Sequence, residues 1–437
     1  MPSPSGREDR PAKGAASFRN WLLLGACAAI CAPAPILRLL LITGVIPELG
    51  SVPAVLIFGS AIVAAAFILT WASETAEKDI SQGLALVAIA LIAVLPEYAV
   101  DLYLAWTAHG SAENAALATA NMTGANRLLV GTGWPMVFFL YWLRSKKGAL
   151  RVSGHETSLA LIFLGAATLY NFVIPIKGNI SLIDTGVLFS LFGGYVYLVS
   201  RAPATEPELV GPALTLGSLA KRRRRGMVIL LFLYSALTIF AAAEPFVEGL
   251  KGIGEDLGIS KFVLIQWFAP LASEAPELTV AAILASRGRA LAAMVMLISS
   301  KVNQWTLLIG SLPVAYSISG AHLSPLPMDS RQVEEVFLTA AQSAFAVAIF
   351  ASLSISTREA LLLLGLFGTQ LFFTDPAVRY AYGGVYLALA AFLFFQDRHT
   401  LPIVFREASR RGGKAPAMST GPPGGKKERG RTKKPSR

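Results

Sequence analysis

Two glutamates stand out because each lies deep inside a long apolar segment and directly follows a proline. Glu97 lies in the run 83–105, and Glu277 lies in the run 262–285. A carboxylate at membrane depth is costly unless it has a partner or faces a water-filled cavity. A proline in a helix frees a carbonyl oxygen about one turn earlier. Carboxylate and carbonyl oxygens together suit sodium or calcium, so Glu97 and Glu277 are candidate metal ligands; the alternative is a neutral glutamate that is hydrogen-bonded within a kinked helix.

Further acidic side chains lie within about one helical turn of these glutamates. Asp101 follows Glu97 on the same helix face, and Glu274 precedes Glu277 on the same face. Such an acidic pair can hold a proton, or a divalent cation that displaces it. Asp101 could instead be a residue of the membrane interface.

Neutral oxygens and one cation complete the candidate site. The oxygen donors are Ser273, Asn121, Asn126, Ser300 and Asn303. Serine and asparagine in membrane helices also hold helices together, which is the alternative for these residues. Lys301 would form an internal ion pair and fill space that a monovalent cation would otherwise occupy. Alternatively, its side chain would extend to the membrane edge.

The composition identifies the class of protein that must position these residues. The 437 residues are 54% hydrophobic and 15% charged, with a mean hydropathy of +0.57. Soluble domains carry about a quarter charged residues. The apolar stretches are long and continuous, which excludes an outer-membrane barrel. The only cysteines, Cys27 and Cys31, lie four residues apart in one apolar segment and indicate packing. We therefore expect an all-α polytopic membrane protein.

The hydropathy pattern predicts about twelve transmembrane helices. They are 18–43, 52–74, 82–107, 113–143, 156–176, 180–200, 227–249, 261–286, 289–318, 333–354, 358–374 and 377–397. The two segments of about 30 residues, 113–143 and 289–318, contain glycine, proline and polar residues, and we expect each to be broken or strongly tilted.

An internal duplication relates the two halves of the chain. Glu277 follows Glu97 by 180 residues, and Gly310 follows Gly131 by 179 residues, each pair within similar sequence. With this helix count the two Pro-Glu helices cross the membrane in opposite directions, so the repeats are inverted. Inverted repeats with interrupted helices and midplane polar residues are typical of secondary transporters.

The duplication predicts a 5+5 core with one extra helix at each end. The predicted segments are a disordered basic N-terminal tail (1–17), an extra N-terminal helix (18–46), the first repeat (52–200), a basic cytoplasmic linker (201–226), the second repeat (227–374), an extra C-terminal helix (377–397) and a disordered basic C-terminal tail (398–437).

The formal net charge of +11 is concentrated in the tails and in the run Lys221 to Arg225. Basic residues beside membrane helices set topology and contact anionic lipid. We therefore expect both termini on the cytoplasmic side of the cell membrane, lipid contacts through the basic segments, and no nucleic-acid partner. No H-E-x-x-H, Walker or Rossmann pattern stands out, so we expect neither an enzyme nor a cofactor, only small inorganic cations as partners.

The motifs resemble those of the calcium:cation antiporter superfamily, the sodium/calcium exchanger-like proteins. The first repeat reads I-A-V-L-P-E (92–97) followed by N-M-T-G-A-N (121–126); the second reads A-S-E-A-P-E (272–277) followed by S-S-K-V-N (299–303). The resemblance spans about residues 52 to 374. It implies that Glu97 and Glu277 are the central cation-binding carboxylates, that Asn121, Asn126 and Asn303 flank them, and that an opposing sodium or proton gradient drives alternating access.

Departures from the family pattern bear on the coupling ion. Ala93 and Val94 replace hydroxyl-bearing residues, Glu274 stands where serine is usual, and Lys301 interrupts the following segment. Fewer hydroxyls and an internal ammonium weaken the case for several sodium sites and favour a proton-coupled exchanger or one with altered stoichiometry. The main hypothesis is a secondary antiporter that exchanges Ca2+ or Na+ against H+ or Na+. The alternatives are an exchange-inactive channel-like or sensor protein on the same fold, and an intramembrane enzyme or lipid-handling protein.

Overall fold

The computed structural model describes residues 10–79, 94–201 and 209–409, and over these residues the chain is mostly helical. Nine helical segments within the described ranges are long and apolar enough to cross a membrane. This confirms an all-α, multi-pass membrane protein. The first part of the predicted span 82–107, with Ala93, and most of the C-terminal tail lie outside the described residues.

The described part of the first half contains ten helical elements and two short strands. In chain order they are α1 (Arg10–Cys31), α2 (Pro33–Ile42), α3 (Ser51–Ala76), α4 (Leu95–Thr107), α5 (Ala112–Leu128), the π-helical turn π1 (Leu129–Gly133), α6 (Trp134–Ser145), β1 (Ala149–Arg151), α7 (His155–Asn171), α8 (Val173–Lys177), β2 (Asn179–Ile180) and α9 (Leu182–Val199).

The second half repeats much of this order. It contains α10 (Pro212–Gly217), α11 (Lys221–Leu257), α12 (Lys261–Ser286), α13 (Ala290–Asn303), the π-helical turn π2 (Gln304–Leu308), α14 (Ile309–Ser319), β3 (Leu326–Pro327), α15 (Ser330–Phe350), β4 (Ser354–Ser356), α16 (Thr357–Gln370), α17 (Pro376–Gln396) and α18 (Leu401–Ser409).

The strands join the two halves in a reciprocal pattern. Strand β1 pairs with β4, and β2 pairs with β3, both antiparallel. β1 and β3 follow equivalent helices in the two halves, and so do β2 and β4. Exchanging the halves therefore maps one two-stranded ribbon onto the other, as expected of a duplicated chain with two-fold pseudosymmetry.

Each long predicted span is continuous and contains a π-helical turn at an equivalent place. π1 lies between α5 and α6, and π2 lies between α13 and α14. Gly131 lies against Phe367 of α16, and Gly310 lies against Phe189 of α9. A side-chain carbon at either glycine would come within 3 Å of that ring. The wider turn and the missing side chain let each long helix accommodate a ring of the other half, so neither helix needs to break.

Small residues allow the first helices of the two halves to pack closely. α3 and α11 contact each other along their lengths, and a side-chain carbon at Gly59 would lie 2.8 Å from Phe246. Because lipid competes equally for apolar side chains, close backbone approach at small residues is a main source of helix association in membranes.

Several element boundaries differ from those expected from the sequence. Helix α1 begins at Arg10, inside the predicted tail, and Pro33 separates α1 from α2 because proline cannot continue the hydrogen-bond ladder. The basic run from Lys221 forms the first turns of α11, and α10 occupies part of the predicted linker. A further helix, α18, follows the extra C-terminal helix α17.

Candidate ion-binding site

Close packing of α5 against α12 brings polar residues of the two halves together. A side-chain carbon at Gly124 would lie 1.9 Å from the carbonyl oxygen of Gln266. Only glycine permits this approach. α5 carries Asn121 and Asn126 on either side of the crossing, and α12 carries Glu274 and Glu277.

The two Pro-Glu glutamates occupy different positions along their helices. Glu97 lies in the first turn of α4, where the preceding Pro96 sacrifices no helical hydrogen bond. Glu277 lies in the middle of α12, which continues through Pro276. Glu97 is 2% exposed, and neither of its side-chain oxygens accepts a hydrogen bond from a donor among the described residues. The Glu277 carboxylate accepts one from the Ser300 hydroxyl at 2.9 Å.

Glu274 lies between these two glutamates. Its carboxyl group interacts electrostatically with those of both Glu97 and Glu277. One of its oxygens accepts a hydrogen bond from Gln304 at 2.6 Å, and the other has no donor. Neighbouring buried carboxyl groups require a proton or a cation, since bare carboxylates repel each other. The structure thus joins Glu97, Glu274 and Glu277 into one cluster.

Asp101 is fully buried and extends the cluster along α4. Its carboxylate accepts a hydrogen bond from the side-chain nitrogen of Asn121 at 2.9 Å. Its second side-chain oxygen and the side-chain oxygen of Asn121 receive no hydrogen bond from the described residues. Asp101 is therefore an internal residue that contacts the first long helix.

Lys301 is a second buried charge at the site, of opposite sign. Its ammonium donates to the Asn126 side-chain oxygen at 2.6 Å and to the Asn126 carbonyl oxygen at 3.2 Å. It also lies 4.3 Å from the centre of the Trp305 ring, a cation–π contact. The ammonium is attracted electrostatically by Glu97 and Glu274. With no exposed surface, the side chain does not extend to the membrane edge.

The remaining predicted residues contact the cluster to different degrees. Asn303 accepts a hydrogen bond from the hydroxyl of Tyr98, the neighbour of Glu97, at 3.1 Å. The Ser273 hydroxyl donates to carbonyl oxygens of its own helix, at 3.2 Å for Pro270. Tyr98 was not foreseen as a partner, and only its position next to Glu97 could have suggested it.

The protein groups around the cluster are rich in oxygen acceptors that lack donors. Within the described part of the chain, no group of three or more His, Cys, Asp or Glu side chains is arranged to enclose a metal ion. The unpaired acceptors include both carboxyl oxygens of Glu97, one carboxyl oxygen of Glu274 and the side-chain oxygen of Gln304. Buried acceptors without donors are costly unless a proton, water or cation satisfies them. Carboxyl and amide oxygens fit protons and hard cations.

Two inverted helical repeats that meet at buried carboxylates define a secondary transporter. The family model described as sodium/calcium exchanger protein matches residues 51–201 and 227–374, one segment in each half. The chain therefore belongs to the sodium/calcium exchanger family, a family of cation exchangers, and is a multi-pass membrane protein.

Solved structures agree with this assignment. The crystal structure of the H+/Ca2+ exchanger CAX is 43% identical over 90% of this chain and 98% of that chain, with a TM-score of 0.85. YfkE is 16% identical over 80% of this chain and 98% of that chain, with a TM-score of 0.58. The sodium-calcium exchanger NCX_Mj is 18% identical over 74% and 98%, with a TM-score of 0.50. The last two share the fold alone. No curated protein matches the sequence.

Proposed function

We propose that this protein is a secondary antiporter that exchanges Ca2+ for H+ by alternating access at the carboxylate cluster. The observation that carries the proposal is the buried carboxyl cluster, in which both Glu97 oxygens and one Glu274 oxygen have no donor among the described residues. The likeness to an H+/Ca2+ exchanger at 43% identity supports it. The concentration of basic residues in the predicted cytoplasmic segments supports a cell-membrane location with both termini inside.

Charge balance explains how such a cluster couples the two ions. Protons bind between the carboxyl groups when calcium is absent, and they leave when the divalent cation binds to the same oxygens. Uncompensated charge in a buried site is costly. Exchange of one divalent cation therefore conserves the charge of the site only when two protons take its place.

The two repeats supply different oxygens to calcium in this proposal. Glu97 and Glu277 bind the ion, and Glu274 binds it or holds a proton. The Ser300 hydroxyl and the amide oxygens of Asn121 and Gln304 complete or orient the ligands. Asn303 accepts the hydrogen bond of Tyr98 and so orients the neighbour of Glu97. The Ser273 hydroxyl bonds to carbonyl oxygens of its own helix and does not contact the ion.

Lys301 favours protons over sodium as the coupling ion. Its side-chain nitrogen donates a hydrogen bond to the Asn126 side-chain oxygen, and that oxygen would otherwise be available to a bound cation. When the lysine is protonated, it also opposes the binding of additional monovalent ions by Coulomb repulsion. Proton transfer to a carboxyl group avoids this conflict because it needs no extra space.

Calcium uptake into proteoliposomes tests the proposal. We expect an outward-directed proton gradient to drive uptake by the wild type, and Glu97→Gln and Glu277→Gln to abolish it while the proteins remain folded. Glu255→Gln is the matched control, because Glu255 is exposed and pairs only with the neighbouring Lys261 among its described ion pairs. Unchanged uptake in the Glu97 or Glu277 variants would refute the proposal. Uptake that follows a sodium gradient and ignores pH would refute proton coupling, and flux without a counter-ion would favour the channel-like alternative.

A further inference from the structure

A second cluster of buried charges lies on the other side of α5 from the carboxylates. It consists of Arg127 of α5, Glu334 and Glu335 of α15, and Arg379 of α17. Each side chain is at most 5% exposed. We call these four residues the charge network. Ionised side chains inside a membrane protein are costly unless they are paired.

The ion pairs of the network run through three helices. Arg127 pairs with Glu335, and Arg379 pairs with both Glu335 and Glu334, with 2.6 Å between Arg379 Nε and Glu334. Arg127 also lies 5.2 Å from the ring centre of Trp267 on α12. The network contains two cations and two carboxylates, so its formal charge is zero. α5 supplies one of the cations, and α17 supplies the other.

The network is coupled to the ion site through α5. Arg127 directly follows Asn126, the residue that accepts both hydrogen bonds from Lys301. Consecutive residues of an α-helix point about 100° apart, so α5 presents Asn126 to the cluster and Arg127 to the network. The Lys301 ammonium is repelled by Arg127 while Glu97 and Glu274 attract it. A change in the charge of the network therefore changes the electrostatic potential at Lys301, which in turn interacts with Glu97 and Glu274.

We propose that the charge network sets the electrostatic potential at the ion site, and that the extra helix α17 completes it by supplying Arg379. α17 has no counterpart in the two repeats, yet without Arg379 the two glutamates of α15 would keep only the Arg127 ion pair and the electrostatic interaction of Glu334 with Arg331. The four residues position and balance charge and do not contact the transported ion. This inference rests on the proposed Ca2+/H+ exchange.

Removing one charge at a time from the distal pair gives opposite predictions for calcium affinity. Glu334→Gln leaves an unbalanced positive charge, and we expect the KM for Ca2+ to rise about threefold or more. Arg379→Gln leaves an unbalanced negative charge, and we expect the KM to fall by a similar factor. The double variant E334Q/R379Q restores neutrality, and we expect its KM to return to within about twofold of the wild type. Among the described ion pairs, neither residue pairs with a residue of α5, so these variants leave the pair of Arg127 with Glu335 in place.

A purely structural role would give a different result. It would lower the amount of folded protein and Vmax in both single variants without shifting KM in opposite directions. The matched control is the peripheral pair Lys251 and Glu248, 2.9 Å apart on the surface of α11. We expect Glu248→Gln and Lys251→Gln to change the KM by less than about twofold, because solvent screens a pair whose carboxylate side chain is 46% exposed.

The outcomes separate this inference from the proposed function. KM shifts of the same sign in both single variants, or a double variant no closer to the wild type than either single variant, would overturn the inference while the exchange activity stands. Absence of proton-driven calcium uptake in the wild type would instead refute the proposed function.

Melting temperatures test the charge balance independently. Both single variants should melt lower than the wild type, and the double variant should recover most of the loss. A double variant that melts no higher than the single variants would also overturn the inference.

Discussion

The two repeats place a Pro-Glu glutamate at equivalent positions but surround it with different groups. In the first repeat Glu97 lies in the first turn of a helix, and neither of its oxygens has a donor within the described part of the chain. In the second repeat Glu277 lies in mid-helix and accepts a hydrogen bond from Ser300. The first repeat thus offers the less satisfied acceptor, and the second holds its carboxylate in a defined orientation.

A second difference concerns the charges that flank each glutamate. The second repeat adds Glu274 one turn before Glu277 and Lys301 on the following helix, whereas the first repeat adds Asp101 one turn after Glu97 and Arg127 on the following helix. Lys301 then reaches across to Asn126 of the first repeat. The pseudosymmetry therefore builds a central site, and the sequence differences between repeats give that site its chemistry.

The largest effect should come from removing the added carboxylate of the second repeat. Glu274→Gln leaves Glu97 and Glu277 without their shared neighbour and removes one negative charge next to the proposed calcium position. At close range, the loss of one charge pair corresponds to at least about a hundredfold change in affinity, so we expect the KM for Ca2+ to rise by about that factor in proton-driven uptake. Ser273→Ala is the matched control, because that hydroxyl bonds its own helix. Equal losses in both variants would contradict the comparison.

A smaller effect of opposite sign should follow from removing the added cation. Lys301→Met deletes the ammonium and frees the Asn126 oxygen, so we expect the KM for Ca2+ to fall about tenfold and Na+ to become a competitor of calcium uptake. Lys261→Met, at the exposed start of α12, should change neither property. Continued insensitivity to Na+ in the Lys301 variant would show that the lysine does not determine the choice of coupling ion.

The sequence predicted those parts of the site that depend on local signals. Pro-Glu within an apolar run identifies Glu97 and Glu277, and the constant spacing of Gly131 and Gly310 identifies the duplication. The family match to both halves confirms that the chain carries two related segments. Spacing on one helix also placed Glu274 beside Glu277, because residues three apart share a face.

The remaining contacts depend on tertiary packing and could not be predicted. Lys301 and Asn126 are 175 residues apart, and only the crossing at Gly124 brings their helices together. Glu334 and Glu335 stand near the start of an apolar run and resemble interface charges until Arg379 is placed beside them. The hydrogen-bond partner of the Ser273 hydroxyl depends on the side-chain rotamer, which sequence spacing does not determine.

A modest effect should distinguish two adjacent serines of the second repeat. The Ser300 hydroxyl donates to Glu277, whereas the Ser299 hydroxyl accepts a hydrogen bond from Tyr195 at 2.8 Å. Loss of one hydrogen bond to a carboxylate costs about 1 kcal/mol or more, so Ser300→Ala should raise the KM for Ca2+ about fivefold. Ser299→Ala should leave it within about twofold, and the reverse order would show that Ser300 does not orient Glu277.

The smallest effect concerns the two ends of the pair formed by α3 and α11. After α3, Asp79 accepts two hydrogen bonds from Arg224, each 2.7 Å long, and at the opposite end Asp256 accepts one from Ser51 at 3.0 Å. The guanidinium of Arg224 lowers the pKa of Asp79 below its ordinary value. The resulting stabilisation is therefore complete above the ordinary aspartate pKa and is lost as the pH falls through the lowered pKa.

Melting temperatures of the purified protein across pH test this difference. We expect Asp79→Asn to destabilise the protein by up to about 1 kcal/mol at neutral pH, the scale of a favourable peripheral ion pair. Its melting temperature should converge with that of the wild type in acid, because the wild-type aspartate is then protonated too. Asp256→Asn should change the melting temperature less at neutral pH, because a single hydrogen bond from an exposed serine replaces the paired contacts of an arginine. A difference between the wild type and Asp79→Asn that persists unchanged in acid would show that the contact stabilises the helix pair through packing and not through charge.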